Sequence, residues 1–112
     1  MREKIHSYLG FARKAGNLIS GYKGCEDAIK RGRAYLIIIG SDISRNTADK
    51  FKAMGDERGI PFRIYKDKES LSNMTGLYDR GVFAITDEKL SEAILKEIDG
   101  KGQKIKFTGG GM

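Results

Sequence analysis

The chain of 112 residues is long enough for one domain whose core needs no covalent staples. Its 21 Lys and Arg against 15 Asp and Glu leave a net charge of +6, and its single cysteine, Cys25, excludes an internal disulfide. The longest apolar run, Ala34-Tyr35-Leu36-Ile37-Ile38-Ile39, falls far short of the roughly 20 residues of a membrane-spanning helix. No apolar stretch follows the charged Met1-Arg2-Glu3-Lys4 as a signal peptide requires, so a cytoplasmic protein is expected.

Ile5, Tyr8, Leu9 and Ala12 form one apolar stripe at helical spacing, and Gly16-Asn17 ends that helix. Leu18-Ile19 is a very short strand candidate, followed by Ser20-Gly21, where Ser20 is placed to cap the next helix. The second helix is expected over Tyr22 to Arg31, with Cys25, Ala28 and Ile29 inward and Lys23, Asp27 and Arg31 on its outer face. Tyr35 to Ile39 reads as a strand buried on both faces, the kind found in sheets covered by helices.

A third helix is expected over Ser44 to Arg58, with Ala48, Phe51 and Met54 inward. A strand over Phe62 to Tyr65 follows, then a short helix over Lys68 to Met74 that Gly76 ends. Leu77 to Gly81 reads as a loop, Val82 to Thr86 as a strand, and Asp87 as the cap of a last helix carrying Leu90, Ala93, Ile94 and Ile98. Five helices and four strands in strict alternation place a sheet between helix layers. The single domain is expected over residues 1–99, with residues 100–112 a basic, Gly-rich and disordered tail.

The positive charge is concentrated. Residues 1–35 carry eight basic and three acidic side chains, a local excess of +5, which leaves +1 for the remainder. An excess gathered in one segment suits a surface that faces a polyanion, although a merely solubilising surface has the same composition.

Residues that carry chemistry are sparse. His6 is the only histidine and has no Cys or second His near it, so neither a metal ligand set nor an acid–base pair is present in the pattern. Cys25 falls on an inward helix face and reads as a small hydrophobe. Gly21-Tyr22-Lys23-Gly24 opens a helix without the phosphate-loop endings, and Asp42, alone after a strand, reads as a turn or cap residue. No cofactor is expected. The start of the second helix is different, because a helix N-terminus presents free N–H groups and a partial positive charge. Lys23 sits there, with Lys30, Arg31 and Arg33 further along, and Gly21 and Gly24 leave the approach open. A solvated face with turn glycines fits that pattern as well.

Arg13-Lys14-Ala15-Gly16-Asn17-Leu18-Ile19-Ser20-Gly21, the helix to Gly32, and Ala34 through Asp42 together resemble the kink-turn-binding ribosomal protein family. The Arg-Lys-Ala-Gly stretch, the Ser41-Asp42-Ile43-Ser44 turn and the Asn46-Thr47 helix start are most similar to its small bacterial branch. Leu71 through Gly76, with the loop and strand after it, resembles the family's second RNA-facing segment, and the likeness covers about residues 2–98. It implies a three-layer α/β/α sandwich with a mixed four-stranded sheet. It also implies binding to an RNA kink-turn, a sharply bent helix–bulge–helix with tandem sheared G·A pairs.

By position, the resemblance assigns the RNA-facing helix residues to Gly21, Lys23, Gly24 and Asp27, and the loop residues to Leu77, Tyr78, Asp79 and Arg80. Lys23 falls where the family has Asn or Lys. Gly24 falls where it usually has a polar side chain, and Asp27 where it usually has Lys. An aspartate repels phosphate and at best accepts from a guanine or cytosine amino group, leaving Lys30 or Arg31 to compensate. Tyr22 completes the helix tip, and Tyr78 reads either as a stacking platform or as an aromatic closing the core edge.

The expected protein is thus a non-enzymatic RNA-binding monomer. Its partners are ribosomal or other structured RNA, kink-turns included, and the ribosome. The competing expectations are a protein–protein module with a degenerate RNA site and, more remotely, an enzyme working near Gly40–Asp42.

Overall fold

The computed structural model describes the backbone of residues 3–110 and the side chains of residues 3–100. Its elements are α1 (Lys4–Lys14), β1 (Leu18–Ser20), α2 (Tyr22–Lys30), β2 (Leu36–Ile39), α3 (Arg45–Arg58), β3 (Phe62–Ile64), α4 (Lys68–Thr75), β4 (Val82–Ile85) and α5 (Glu88–Gly110). The order matches the one expected, with bounds shifted by a residue or two except at α5, which runs on to Gly110, past the expected domain end at residue 99. The tail expected from residue 100 concerns side chains from 101 onward, and residues 111–112 altogether, that lie outside the described residues.

The strands pair in the order β1-β4-β2-β3. β4 runs antiparallel to both neighbours and β2 runs parallel to β3, so the sheet is mixed. Alternation along the two central strands divides the core. Leu36, Ile38, Phe83 and Ile85 face α1, α4 and α5, meeting Ile5, Leu9, Ala12, Leu71, Leu90, Ile94 and Ile98. Ile37, Ile39, Val82 and Ala84 face α2 and α3, meeting Cys25, Ile29 and Phe51. Every residue of β2 and β4 is buried, which explains their unbroken apolar runs. The result is a three-layer α/β/α sandwich.

β4 brings several chain ends to one end of the sheet. Ser20 lies opposite Phe83, and Ile39 opposite Val82. The exit of β1 and the exit of β2 therefore flank the entry to β4. The Gly21 N–H donates to the Val82 carbonyl (2.9 Å), and the Gly40 N–H donates to the Gly81 carbonyl (2.9 Å). Gly81 is buried, and a β-carbon there would run into the Ile43 side chain, so any larger residue in the loop before β4 must displace Ile43.

Polar residues secure the helix starts. Ser44 accepts from the Thr47 N–H (3.3 Å), Asp67 from Ser70 (2.8 Å) and Asp87 from Leu90 (2.8 Å). Asp42 accepts from the Lys68 N–H at 2.9 Å, tying the β2 exit to the first turn of α4. The expected Ser20 cap is not formed. Ser20 belongs to β1, the N-cap of α2 is Gly21 at φ 92°, and no side chain caps that helix.

Asp42→Ala should destabilise the fold by about 1 kcal/mol, the usual worth of a cap. Gly81→Ala should cost more, roughly 1–3 kcal/mol, as overpacking does. Urea unfolding reads both, and wild-type stability of the Gly81→Ala protein would contradict the packing account.

Candidate nucleic-acid interface

The first turn of α2 is bare. Its first intrahelical bond runs from the Cys25 N–H to the Gly21 carbonyl (3.1 Å), so the N–H groups of Tyr22, Lys23 and Gly24 precede the helical ladder. No acidic residue lies in that turn, and Tyr22, Lys23 and Gly24 are exposed. The tip thus combines uncapped amides, the positive end of the helix dipole and the Lys23 ammonium. Gly21 needs its positive φ to turn the chain from β1 into the helix. At Gly24 a β-carbon would sit 3.1 Å from Ile19 Cγ2, so its missing side chain serves packing onto β1 as well as outward access.

Cys25 anchors the turn from beneath. Its one thiol proton is shared between the Ile19 and Val82 carbonyls, 3.5 Å from each, and burial pushes its pKa from 9.0 up to about 12. It is a packed, unreactive thiol.

The loop of residues 76–81 adjoins this tip. A β-carbon added to Gly21 would lie 2.7 Å from Arg80 Nη1, which places the Arg80 guanidinium against the helix N-cap. Asp79 holds a left-handed conformation (φ 61°) and pairs with Lys68 Nζ at 2.8 Å. That lysine draws the Asp79 carboxyl below the usual carboxylate range. Asp79 therefore fastens the loop to α4. Leu77 is half-buried against the core, while Tyr78 is 77% exposed and closes no core edge. The Arg13 guanidinium donates to the Thr75 carbonyl at 3.0 Å and lies against Gly76, securing the base of the loop from α1.

The outer face of α2 distributes its charges unevenly. Arg31 pairs with Asp27 (3.0 Å), and Glu26 takes both Lys30 (3.3 Å) and Lys50 (2.9 Å). Hydrogen bonds from Lys50 first, then Lys30, hold the Glu26 carboxyl low. Lys50 also lies over the Tyr22 ring, 4.6 Å from its centre, and Tyr22 packs edge-on against Phe51. Among the described residues, Lys23, Arg33 and Arg80 form no ion pair with a carboxylate.

The structure brings Gly21, Tyr22, Lys23, Gly24, Tyr78, Asp79 and Arg80 to one end of the sheet. Lys30, Arg31 and Arg33 lie at or beyond the other end of α2, about 12 Å along its axis from the tip. Lys50 was missed from sequence. It comes from α3, and nothing in the local pattern there pointed to the α2 tip.

The fold is an α/β/α sandwich that presents a bare helix tip beside the loop carrying Tyr78 and Arg80. The chain belongs to the ribosomal protein L7Ae/L30e/S12e/Gadd45 family, whose model matches residues 3–95. It is 28% identical over 91 residues to the RNA-binding protein YlxQ of Bacillus subtilis (strain 168), covering 81% of this chain and 91% of that protein. It is 29% identical over 100 residues to RNA-binding protein YlxQ of Enterococcus faecium, covering 88% and 95% respectively. A solved structure of a protein of unknown function from Bacillus halodurans C superposes with a TM-score of 0.84 at 26% identity, covering 88% of this chain and 99% of that one. The family resemblance and the fold expected from it are both borne out.

Among the described residues no group of three or more His, Cys, Asp and Glu is placed to hold a metal, and no helix is long and apolar enough to cross a membrane.

Cys25 should resist iodoacetamide at pH 8 in the native protein and react in urea. Because its folded pKa is raised, its contribution to stability is complete below pH 9.0 and is lost as pH rises from there toward about 12. Fast native-state alkylation would contradict this. Lys68→Ala should speed amide exchange in residues 77–81 and leave global stability nearly unchanged, as for an exposed pair.

Proposed function

We propose that the protein is a non-enzymatic RNA-binding monomer of the cytoplasmic translation machinery that recognises kink-turn-like RNA on the ribosome or in its precursors. The observation that carries this reading is the uncapped, carboxylate-free first turn of α2, flanked by the Lys23 ammonium and the Arg80 guanidinium. Membership in a ribosomal protein family, and relatives named as RNA-binding proteins, support it.

Guanine presents N7 and O6 acceptors on its exposed edge, and sheared G·A pairs leave such edges accessible. The amides of Tyr22, Lys23 and Gly24 donate to them, with the lysine adding charge. Arg80, from the other side of the tip, meets a phosphate. Tyr78 stacks on the extruded bulge base, a contact worth about 1–3 kcal/mol. Asp27 is held by Arg31, so the pair adds little net charge to the RNA side. Lys30 and Arg33 reach only the flanking duplex, through its phosphates.

Lys23→Glu should weaken binding of a kink-turn hairpin about ten-fold or more at moderate salt and lower the salt slope by roughly one. Asp27→Lys should tighten binding and steepen that slope. Fluorescence anisotropy across a salt series reads both. Unchanged affinity in Lys23→Glu would refute the helix-tip assignment, and salt-insensitive capture of a protein partner without RNA would favour an interaction module instead.

A further inference from the structure

We infer that the RNA surface continues past the 76–81 loop into the groove between α1 and α4, where Phe11 stacks an unpaired base and Lys14 meets the adjoining phosphate. This rests on the RNA-binding reading above but uses different residues.

The groove has a volume of about 320 Å³ and is lined by His6, Ser7, Gly10, Phe11, Lys14 and Met74. Phe11 is 62% exposed, second only to Tyr78 among the exposed large apolar side chains of the described residues. A phenylalanine in water on a helix that already buries Ile5, Leu9 and Ala12 adds nothing to the core. Gly10 beside it sits mid-helix, where glycine is less stable than alanine. A β-carbon at Gly10 would meet nothing within 4 Å, so packing does not require the glycine. Its absence of a side chain leaves the floor of the groove open next to an aromatic face.

Charge points to a polyanion as the occupant. The lining holds no carboxylate and includes the Lys14 ammonium, three residues from Phe11 on the same helix face. By contrast, the larger depression between α1 and α5 sets Glu92, Glu97 and Asp99 against Lys4, Lys89 and Lys96, and the one near Tyr35 sets Glu88 and Glu92 against Arg58, so carboxylates line both. An aromatic face beside a lone cation is the pairing used for single-stranded nucleic acid.

Continuity with the loop sets the path. Met74 lines the groove, and Tyr78 follows it four residues later, so their Cα atoms are at most about 15 Å apart. Arg13, on α1, bonds the Thr75 carbonyl and rests on Gly76, joining the two walls where the loop begins. A short single strand leaving Tyr78 thus has a second aromatic platform within reach.

The test uses a kink-turn hairpin, either blunt or carrying a six-uridine single-stranded extension at its 5′ or 3′ end. One extension should tighten binding by at least about five-fold. Phe11→Ala and Gly10→Leu, which fills the groove, should each remove that gain and leave the blunt-hairpin affinity unchanged. Lys14→Glu should reduce the gain and its salt dependence. Lys23→Glu, by comparison, should weaken blunt and extended hairpins alike.

No gain from either extension, or a gain that survives Phe11→Ala, overturns the inference while leaving the helix-tip reading intact. If the blunt hairpin itself fails to bind, a 5-iodouridine hexamer decides. Photocrosslinks mapped to the peptide holding Phe11 sustain the groove. Crosslinks elsewhere, or a protein captured on Phe11 in place of RNA, refute it.

Discussion

The antiparallel seat of β4 between β1 and β2 is the constraint on which the rest depends. Two ladders fix its register, and the Gly21 N–H to Val82 carbonyl bond extends one of them to the foot of α2. Helix tip and loop are far apart in sequence, yet that strand order leaves them no other place to be. Four consecutive buried residues make the seat rigid, since a slip by one residue would exchange the Phe83 and Ala84 faces and empty one core while crowding the other. A ligand spanning tip and loop therefore meets two surfaces whose separation is set before it arrives.

The charge excess read from composition is spent unevenly. Much of the basic character of α2 is internal, since Glu26 and Asp27 occupy Lys30 and Arg31. Among the described residues, Lys23 and Arg80 beside the tip are in no carboxylate ion pair, and they coincide with the uncapped amides. Polyanion attraction then arises from a few groups with fixed geometry rather than from a diffuse basic face. Asp79 has a supporting role, since its tie to Lys68 orders the loop that carries Tyr78 and Arg80.

Much of this was legible in the sequence, for reasons that differ by element. β2 and β4 announced themselves because strands buried on both faces must be apolar at every position. The α2 tip was legible because glycines flank a lysine at a helix start, a local pattern. Ser20 misled because a serine before a helix reads as a cap, whereas pairing with Phe83 holds it in β1. The pairing of Lys50 with Glu26 and Tyr22 was invisible, since it joins α3 to α2 through tertiary packing. In the sequence, Arg13 stands only as the first residue of the Arg-Lys-Ala-Gly stretch. Its bond to the Thr75 carbonyl, 62 residues away, gives that arginine a structural reason to be there.

We propose that the free amides of Tyr22, Lys23 and Gly24, with the loop of residues 77–80, form the face that receives RNA. Amide chemical-shift mapping on titration with a kink-turn hairpin tests it most directly. The largest shifts should fall at those amides and at Arg80. Shifts gathered on α3, α5 or the β3 edge, with the α2 tip unmoved, would contradict it.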